Sequence, residues 1–367
     1  MKNKGVKWLS ILCGIVACCG LTACDTGETS SSNSGSEELH SVESSHIHKE
    51  SDWVVDVMPT LNTVGSKHTY CLVCNENMQT VVIEQQKLLP LNYEVGADGI
   101  SCTVTGIGAD RDYTEIYIPE TLDGYTVKAI RYNAFYNCGN LTSVFIPSSV
   151  TSIGAEAFGS CSSLTNIEVD KNNTAYQSID GNLYTKDGKI LIQYAIGKTA
   201  TSFTIPDGVI SVGVYAFSGC SSLTSVVIPD SVTDIESPAF YGCNSLINIE
   251  VSENNSAYQS IDGNLYVKDG KALIRYTIGK TITSFAIPEG VTSIGVWAFG
   301  YCSSLTSVEI PRGVRSIGEC ALAYCNNLTS ITFHGTVEEW NAISKGSAWK
   351  YNISATKVVC TDGTVSI

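Results

Sequence analysis

Residues 141–164 read LTSVFIPSSVTSIGAEAFGSCSSL, opening and closing on leucine. Leu141, Val144 and Ile146 fit the L-x-x-L-x-L spacing whose strand lines one face of a stacked coil. Alternation along that strand sends Ser143 and Phe145 outward. Pro147 lacks the backbone donor that a central strand needs, so it ends the ladder. Val150 and Ile153 begin a second apolar pair, Gly154 marks a corner, and Ala157 and Phe158 are expected to bury on a short helical turn before Cys161. One such stretch is a right-handed coil closed by proline and glycine corners.

The frame recurs. A bulky apolar residue followed by cysteine at +3 and leucine at +6 stands at Phe135, Phe158, Phe217, Phe240, Phe299 and Leu322, at spacings of 23, 59, 23, 59 and 23 residues. A fixed period in this range marks a solenoid, because no unit can bury its apolar side without stacking on its neighbours. The alternation defines an 82-residue super-repeat. The expected fold is a mainly β solenoid of coils of about 23 residues, with two inserted β-hairpin arms, caps at both ends and a small C-x-x-C β-ribbon in front. Cys138, Cys161, Cys220, Cys243, Cys302 and Cys325 recur once per frame and read as buried thiols, each satisfying a corner carbonyl. Parallel coils ~4.8 Å apart would bring them within reach of one another but not easily into disulfide geometry.

The 367-residue chain carries a net charge of −14 and 43% apolar residues, enough for a continuous core. An acidic balance with 22 Lys plus Arg argues against nucleic acid or an anionic membrane surface as the main partner.

Residues 1–23 read as a leader: Lys2, Lys4 and Lys7 precede an apolar run from Trp8 to Leu21 that is too short to span a bilayer. The run ends in Leu21-Thr22-Ala23-Cys24, which resembles the lipobox of bacterial lipoproteins and implies lipidation of Cys24; Ile15-Val16-Ala17-Cys18 is a weaker second fit. Residues 24–45, rich in Ser, Gly and Glu, are expected to form a disordered tether. Residues 46–90 form a separate module, with strand-like runs near Trp53–Val57 and Val81–Ile83 around Cys71-x-x-Cys74. It resembles a short cysteine module of bacterial surface proteins, with His48, Cys71 and Cys74 matching and Leu61 standing where another cysteine is expected. That resemblance implies structural zinc, which wants four ligands; His46 or His68 could complete the set, and a Cys71–Cys74 disulfide or two thiols are the other readings. No βαβ context supports thioredoxin-like chemistry.

Residues 91–128 read as a hairpin and N-terminal cap, 129–333 as the solenoid and 334–367 as a C-terminal cap, in which Trp340 and Trp349 plug the last apolar face. The recurrent string, seen as IPSSVTSIGAEAFGSCSSL and IPEGVTSIGVWAFGYCSSL, resembles the BspA-type leucine-rich repeat over residues 91–367. That resemblance implies a bacterial cell-surface solenoid, with adhesion to host proteins, matrix or other bacteria.

Each 59-residue interval holds 36 residues beyond one coil: NNTAYQSIDGNLYTKDGKILIQYAIGK in the first and NNSAYQSIDGNLYVKDGKALIRYTIGK in the second. Asp187-Gly188 and Asp269-Gly270 are hairpin turns, so each insert is either an outsized coil or a projecting arm. Tyr184, Tyr194, Tyr266 and Tyr276 on these strands read either as contact residues or as packing for the arm. Asp170, Asn172, Asn173 and Asp180 lack the calcium-loop pattern and suit turns.

A non-catalytic binding role for protein partners fits best, through the outward residues Phe145, Glu168, Val227, Glu250, Glu309 and Thr332, together with Tyr184 and Tyr266. A structural role in the envelope is the alternative. A surface hydrolase is disfavoured: Ala129–Phe333 contains no histidine, and Asp180/Asp262 and Asp187/Asp269 recur with their turns as catalytic groups would not. No cofactor is implied beyond the zinc considered above.

Overall fold

Alternating burial builds one coil. Leu141 points inward just before the strand Ser143–Ile146, as Val144 and Ile146 do on it, and that strand pairs in parallel and in register with Asn166–Val169 of the next coil. After the proline corner a second, two-residue strand, Ser152–Ile153, pairs in parallel with Ala129–Ile130 of the coil before. Front strands of the first kind and flank strands of the second thus stack as two ladders around a shared apolar interior. The computed structural model describes residues 49, 51, 54–57, 65–75, 77–83, 91–108 and 113–367. The leader, Cys24, the tether and His48 lie outside the described residues.

The third side of each coil is not the expected helical turn. Glu156 and Ser160, two residues either side of Phe158, take left-handed backbone at φ of 53° and 57°. Three-residue hydrogen bonds such as Gly159 N–H to the Glu156 carbonyl (2.9 Å) then close tight turns in place of a helix. These turns put Phe158 inside, where its ring stacks on Phe135 at 5.5 Å and 3°. Phe217 and Phe240 repeat the stack at 5.1 Å and 6°. The thiols of Cys161, Cys243 and Cys325 donate to the carbonyls of Phe135, Phe217 and Phe299, each at 3.1 Å. Burial pushes the Cys325 thiol up to about 12, so it stays a protonated donor.

The 59-residue intervals hold two coils. Tyr194 N–H donates to the Ala216 carbonyl (2.8 Å), as Phe217 N–H does to Ala239 (2.9 Å), and the Tyr194 ring sits 5.6 Å from Phe217. Tyr276 does the same with Ala298 (2.9 Å) and Phe299 (5.2 Å). Tyr194 and Tyr276 therefore hold the phenylalanine station, 36 residues after Phe158 and Phe240 and 23 before Phe217 and Phe299. Each insert is an outsized coil, 13 residues longer than its neighbours, and not a 36-residue projection. The extra chain is the antiparallel pair Tyr176–Ile179 and Asn182–Thr185, joined by Asp180 and Gly181 at φ of 49° and 68°. This is the turn in which both central residues need positive φ. Asp187-Gly188 then leads into Ile190–Gln193, which rejoins the flank ladder beside Ser211–Val212.

The outsized coils interrupt both ladders. The front strands fall into three separate sheets, which end at Asn166–Val169, at Asn248–Val251 and at the chain's last strands. The insert itself closes each exposed edge. The Gly181 carbonyl accepts from Ile167 N–H (2.9 Å), and the Tyr176 hydroxyl accepts from Ile153 N–H (3.0 Å). Gly263 and Tyr258 do the same for Ile249 (2.9 Å) and Ile235 (2.9 Å). The buried interior divides at the same places, into clusters running from Leu91 to Leu183, Tyr184 to Leu265 and Tyr266 to Cys360.

At the C-terminal end Leu322 N–H donates to the Trp349 carbonyl (2.7 Å), so Trp349 stands where the earlier coils carry the alanine before the ring, as at Ala239 and Ala321. Trp340, buried on the helix Val337–Ala342, packs against Trp349 at 5.8 Å. The helix starts in a capping box between Thr336 and Glu339. Ahead of the solenoid, Val54–Val57, Gly65–Tyr70 and Asn77–Ile83 form a three-stranded antiparallel sheet. The C-x-x-C lies in the turn between the last two strands, with Cys71 buried and Cys74 exposed.

Candidate functional site

The outward positions read from the sequence do share one register, but in three groups. Phe145 pairs with Glu168, Val227 with Glu250 and Glu309 with Thr332. The first pair is not available to a partner: Phe145 is 4% exposed and Glu168 7%. Phe145 lies against the buried Tyr117 at 6.2 Å, and Lys67 from the N-terminal module reaches Glu115, two residues from Tyr117 on the same strand, at 3.8 Å. Asn166 Nδ2 donates to the Glu168 carboxylate at 2.8 Å. The outer face of the first sheet is thus covered from within the chain. Its counterpart 82 residues on, Glu250, is exposed, with Thr204 exposed and Val227 half-buried beside it. On the third sheet the open row is Ala286, Glu309, Thr332 and Val359, and His334 Nε2 sits 3.1 Å from the Glu309 carboxylate.

Tyr184 and Tyr266 are not contact residues. Both are fully buried, because strand alternation turns each into the core block that follows while Leu183 and Leu265 face the block before. Burial raises both phenol pKa values above the ordinary range, so neither ionises.

His48 lies outside the described residues, and among those described no group of three or more His, Cys, Asp or Glu is placed to hold a metal. Asp170 Oδ1 accepts from Asn172 N–H (2.7 Å) and Asp187 Oδ1 from Lys189 N–H (3.0 Å), which is turn chemistry.

A second surface has no counterpart among the residues the repeat string singles out. At or beside the left-handed corner positions several coils carry aromatic side chains, and these touch in sequence along the stack. Tyr215 meets Tyr241 edge-on at 5.8 Å, Tyr241 meets Trp297 at 5.4 Å and Tyr301 at 5.1 Å, and Tyr301 stacks on Tyr324 at 4.6 Å. Exposed rings mark the ends of this strip, Tyr132 (53%) and Tyr351 (58%). At its N-terminal part Glu156 accepts from Ser218 Oγ (3.2 Å) and Tyr132 OH (3.3 Å). Burial raises the Glu156 carboxyl pKa, and those two hydroxyls partly offset it. A 230 Å³ crevice opens beside Glu156, over Gln193, where the first outsized coil interrupts the corner row. The same place 82 residues later is filled by Arg275 and Trp297, with Arg275 Nη1 donating to the Trp297 carbonyl at 2.7 Å.

Parallel front strands, a cysteine-bearing corner and a continuous stacked interior define a leucine-rich-repeat solenoid. The family model for the BspA type leucine rich repeat region matches six copies over residues 112–186, 194–267 and 276–358, and the chain belongs to that family. Similar solved structures include a leucine rich cell surface protein from Faecalibacterium prausnitzii, 23% identical over 71% of this chain and 97% of that one, with a TM-score of 0.34. A leucine-rich repeat protein from Eubacterium ventriosum is 25% identical over 68% and 71%, with a TM-score of 0.41. The pneumococcal vaccine antigen PcpA is 17% identical over 76% and 87%, with a TM-score of 0.38. Comparison with curated proteins returns no match.

Proposed function

We propose that this chain is a lipid-anchored cell-surface protein that binds protein partners, without catalysis, through the outward rows of its second and third front sheets. The observation that carries the reading is the register of Thr204, Val227 and Glu250, and of Ala286, Glu309, Thr332 and Val359, on open parallel sheets. Side chains one coil apart in such rows form a continuous strip, the kind of surface through which solenoids bind. Membership of the BspA-type family supports a binding scaffold. The recurring aspartates work as turn residues, which supports the non-catalytic part. No helix among the described residues is long and apolar enough to cross a membrane; the proposed attachment is a lipid on Cys24, at the end of the lipobox-like Leu21-Thr22-Ala23-Cys24.

Full-length protein immobilised against a panel of matrix and bacterial surface proteins should retain at least one of them. Val227→Glu, which alters one half-buried outward side chain, should weaken that capture about tenfold while leaving the circular dichroism unchanged. Retention of every partner by the variant would remove the second sheet from the reading. Cys24→Ala expressed in a bacterial host should move the protein from the membrane fraction to the medium; continued retention would rule out the anchor.

A further inference from the structure

The corner strip holds residues that the solenoid does not require. The position two residues after the core phenylalanine is left-handed in coil after coil, and Asn137, Ser160, Gly219 and Gly242 fill it with small residues suited to that backbone. Tyr301 and Tyr324 adopt the same conformation at φ of 65° and 60°, where a bulky side chain is strained. Two residues before the core ring, Asn133 takes φ 59°, whereas Tyr215 and Trp297 take 60° and 55°. Strain held where a neighbouring coil shows it to be unnecessary points to use of the side chain. Gly300 reinforces this: a Cβ there would stand 2.4 Å from the Trp297 ring, so the indole lies directly over glycine backbone.

The electrostatics of the strip select its occupant. Glu156 takes the Tyr132 hydroxyl at 3.3 Å, Glu236 lines one crevice with Trp297, and the exposed Glu319 accepts the Trp297 N–H on its backbone at 3.0 Å. Two of the nearby cations are committed elsewhere, Arg131 to Glu94 at 2.6 Å and Arg275, buried beneath Trp297, to its carbonyl; Lys350 adjoins only the C-terminal end of the strip at Tyr351. Ring faces bordered by carboxylates attract guanidinium and ammonium groups through both the ring quadrupole and direct charge.

Resting on the protein-binding reading above, we infer that this aromatic strip is a docking surface for an extended, Arg- and Lys-rich peptide segment of a protein partner. Basic side chains would lie across successive rings, with their charged ends against Glu156, Glu236 and Glu319. The row continues over several coils, so it suits an extended chain better than a single compact ligand.

The test uses full-length protein and three labelled probes: octa-arginine, octa-glutamate and the neutral oligosaccharide maltoheptaose. Octa-arginine should bind and the other two should not. The triple variant Trp297→Asn/Tyr301→Gly/Tyr324→Asn installs residues that other coils already carry at these positions and leaves the net charge unchanged. It should keep its thermal midpoint or raise it while binding octa-arginine about tenfold more weakly. Equal binding by variant and wild type would assign the affinity to diffuse charge and overturn the inference. So would a preference for the oligosaccharide. Loss of the strip inference through absence of octa-arginine binding would leave the panel capture in force, so the two readings fail separately.

Discussion

Replacing Asn255 by alanine is expected to destabilise the protein by about 3–5 kcal/mol, because four backbone groups around one buried side chain lose its hydrogen bonds at once. Asn255 is fully buried. Its Nδ2 donates to the carbonyls of Pro229 (2.7 Å) and Val232 (2.8 Å), and its Oδ1 accepts from Ala257 N–H (2.9 Å) and Tyr258 N–H (2.8 Å). The side chain thereby ties a proline corner of one coil to the start of the insert in the next. Alanine offers neither donors nor acceptor, and the site is closed to solvent. Asn173 makes the same four bonds in the first insert, so Asn173→Ala should lose stability to within about 1 kcal/mol of Asn255→Ala. Urea denaturation of the two variants checks both statements. A loss below about 1 kcal/mol for either would mean that the corner relaxes and finds other partners.

The second large effect is expected at Phe217. Its ring stacks on Phe240 at 5.1 Å, faces Tyr194 at 5.6 Å and takes Phe203 edge-on at 5.9 Å, with no exposed surface. Phe217→Ala removes a whole aromatic layer from an interior that has no adjacent layer to spare, and should cost about 3–5 kcal/mol. Phe217→Leu is the informative control, since Leu322 fills the same station later in the stack and is fully buried there. It should cost less than about 1.5 kcal/mol, in line with volume-conserving changes. Similar losses for the two variants would show that ring stacking, and not filled volume, holds the ladder. Thermal melts of both proteins against wild type decide the matter.

The sequence made the solenoid legible because inward residues of each coil meet the same environment and so recur. Leu141, Val144, Ile146, Phe158 and Cys161 are all selected by one interior, and their spacing is the spacing of the coils. The period broke down at Tyr194 and Tyr276 for a local reason. Each holds the aromatic station, but the residues after it are AIGK and TIGK in place of the cysteine-bearing turn, so the frame loses its cysteine and the coil goes uncounted. The Asp180-Gly181 turn was similarly obscured, although an Asp-Gly pair between two strand-like runs carries the hairpin signal as clearly as Asp187-Gly188 does.

Surface assignments were less legible, since alternation states which way a side chain points and not what waits there. Phe145 does leave the solenoid interior, but other parts of the same chain cover it. Tyr184 and Tyr266 sit on strands that have core on both sides, where alternation separates one block from the next and exposes neither residue. The corner aromatics fell at positions the repeat string leaves variable. They lie at or beside left-handed backbone positions, and residues as different as Asn133, Glu156 and Trp297 occupy such positions without a shared side chain.

Leu183 and Tyr184 are neighbours on one strand, yet each is counted in a different interior, and Leu265 and Tyr266 repeat the arrangement 82 residues later. Tension applied along the stack would therefore meet three mechanical elements in series, joined at seams where both ladders are already interrupted. Yielding of one element would lengthen the chain while the other two kept their shape. A molecule built this way can absorb a pull at its ends without surrendering every contact face it carries.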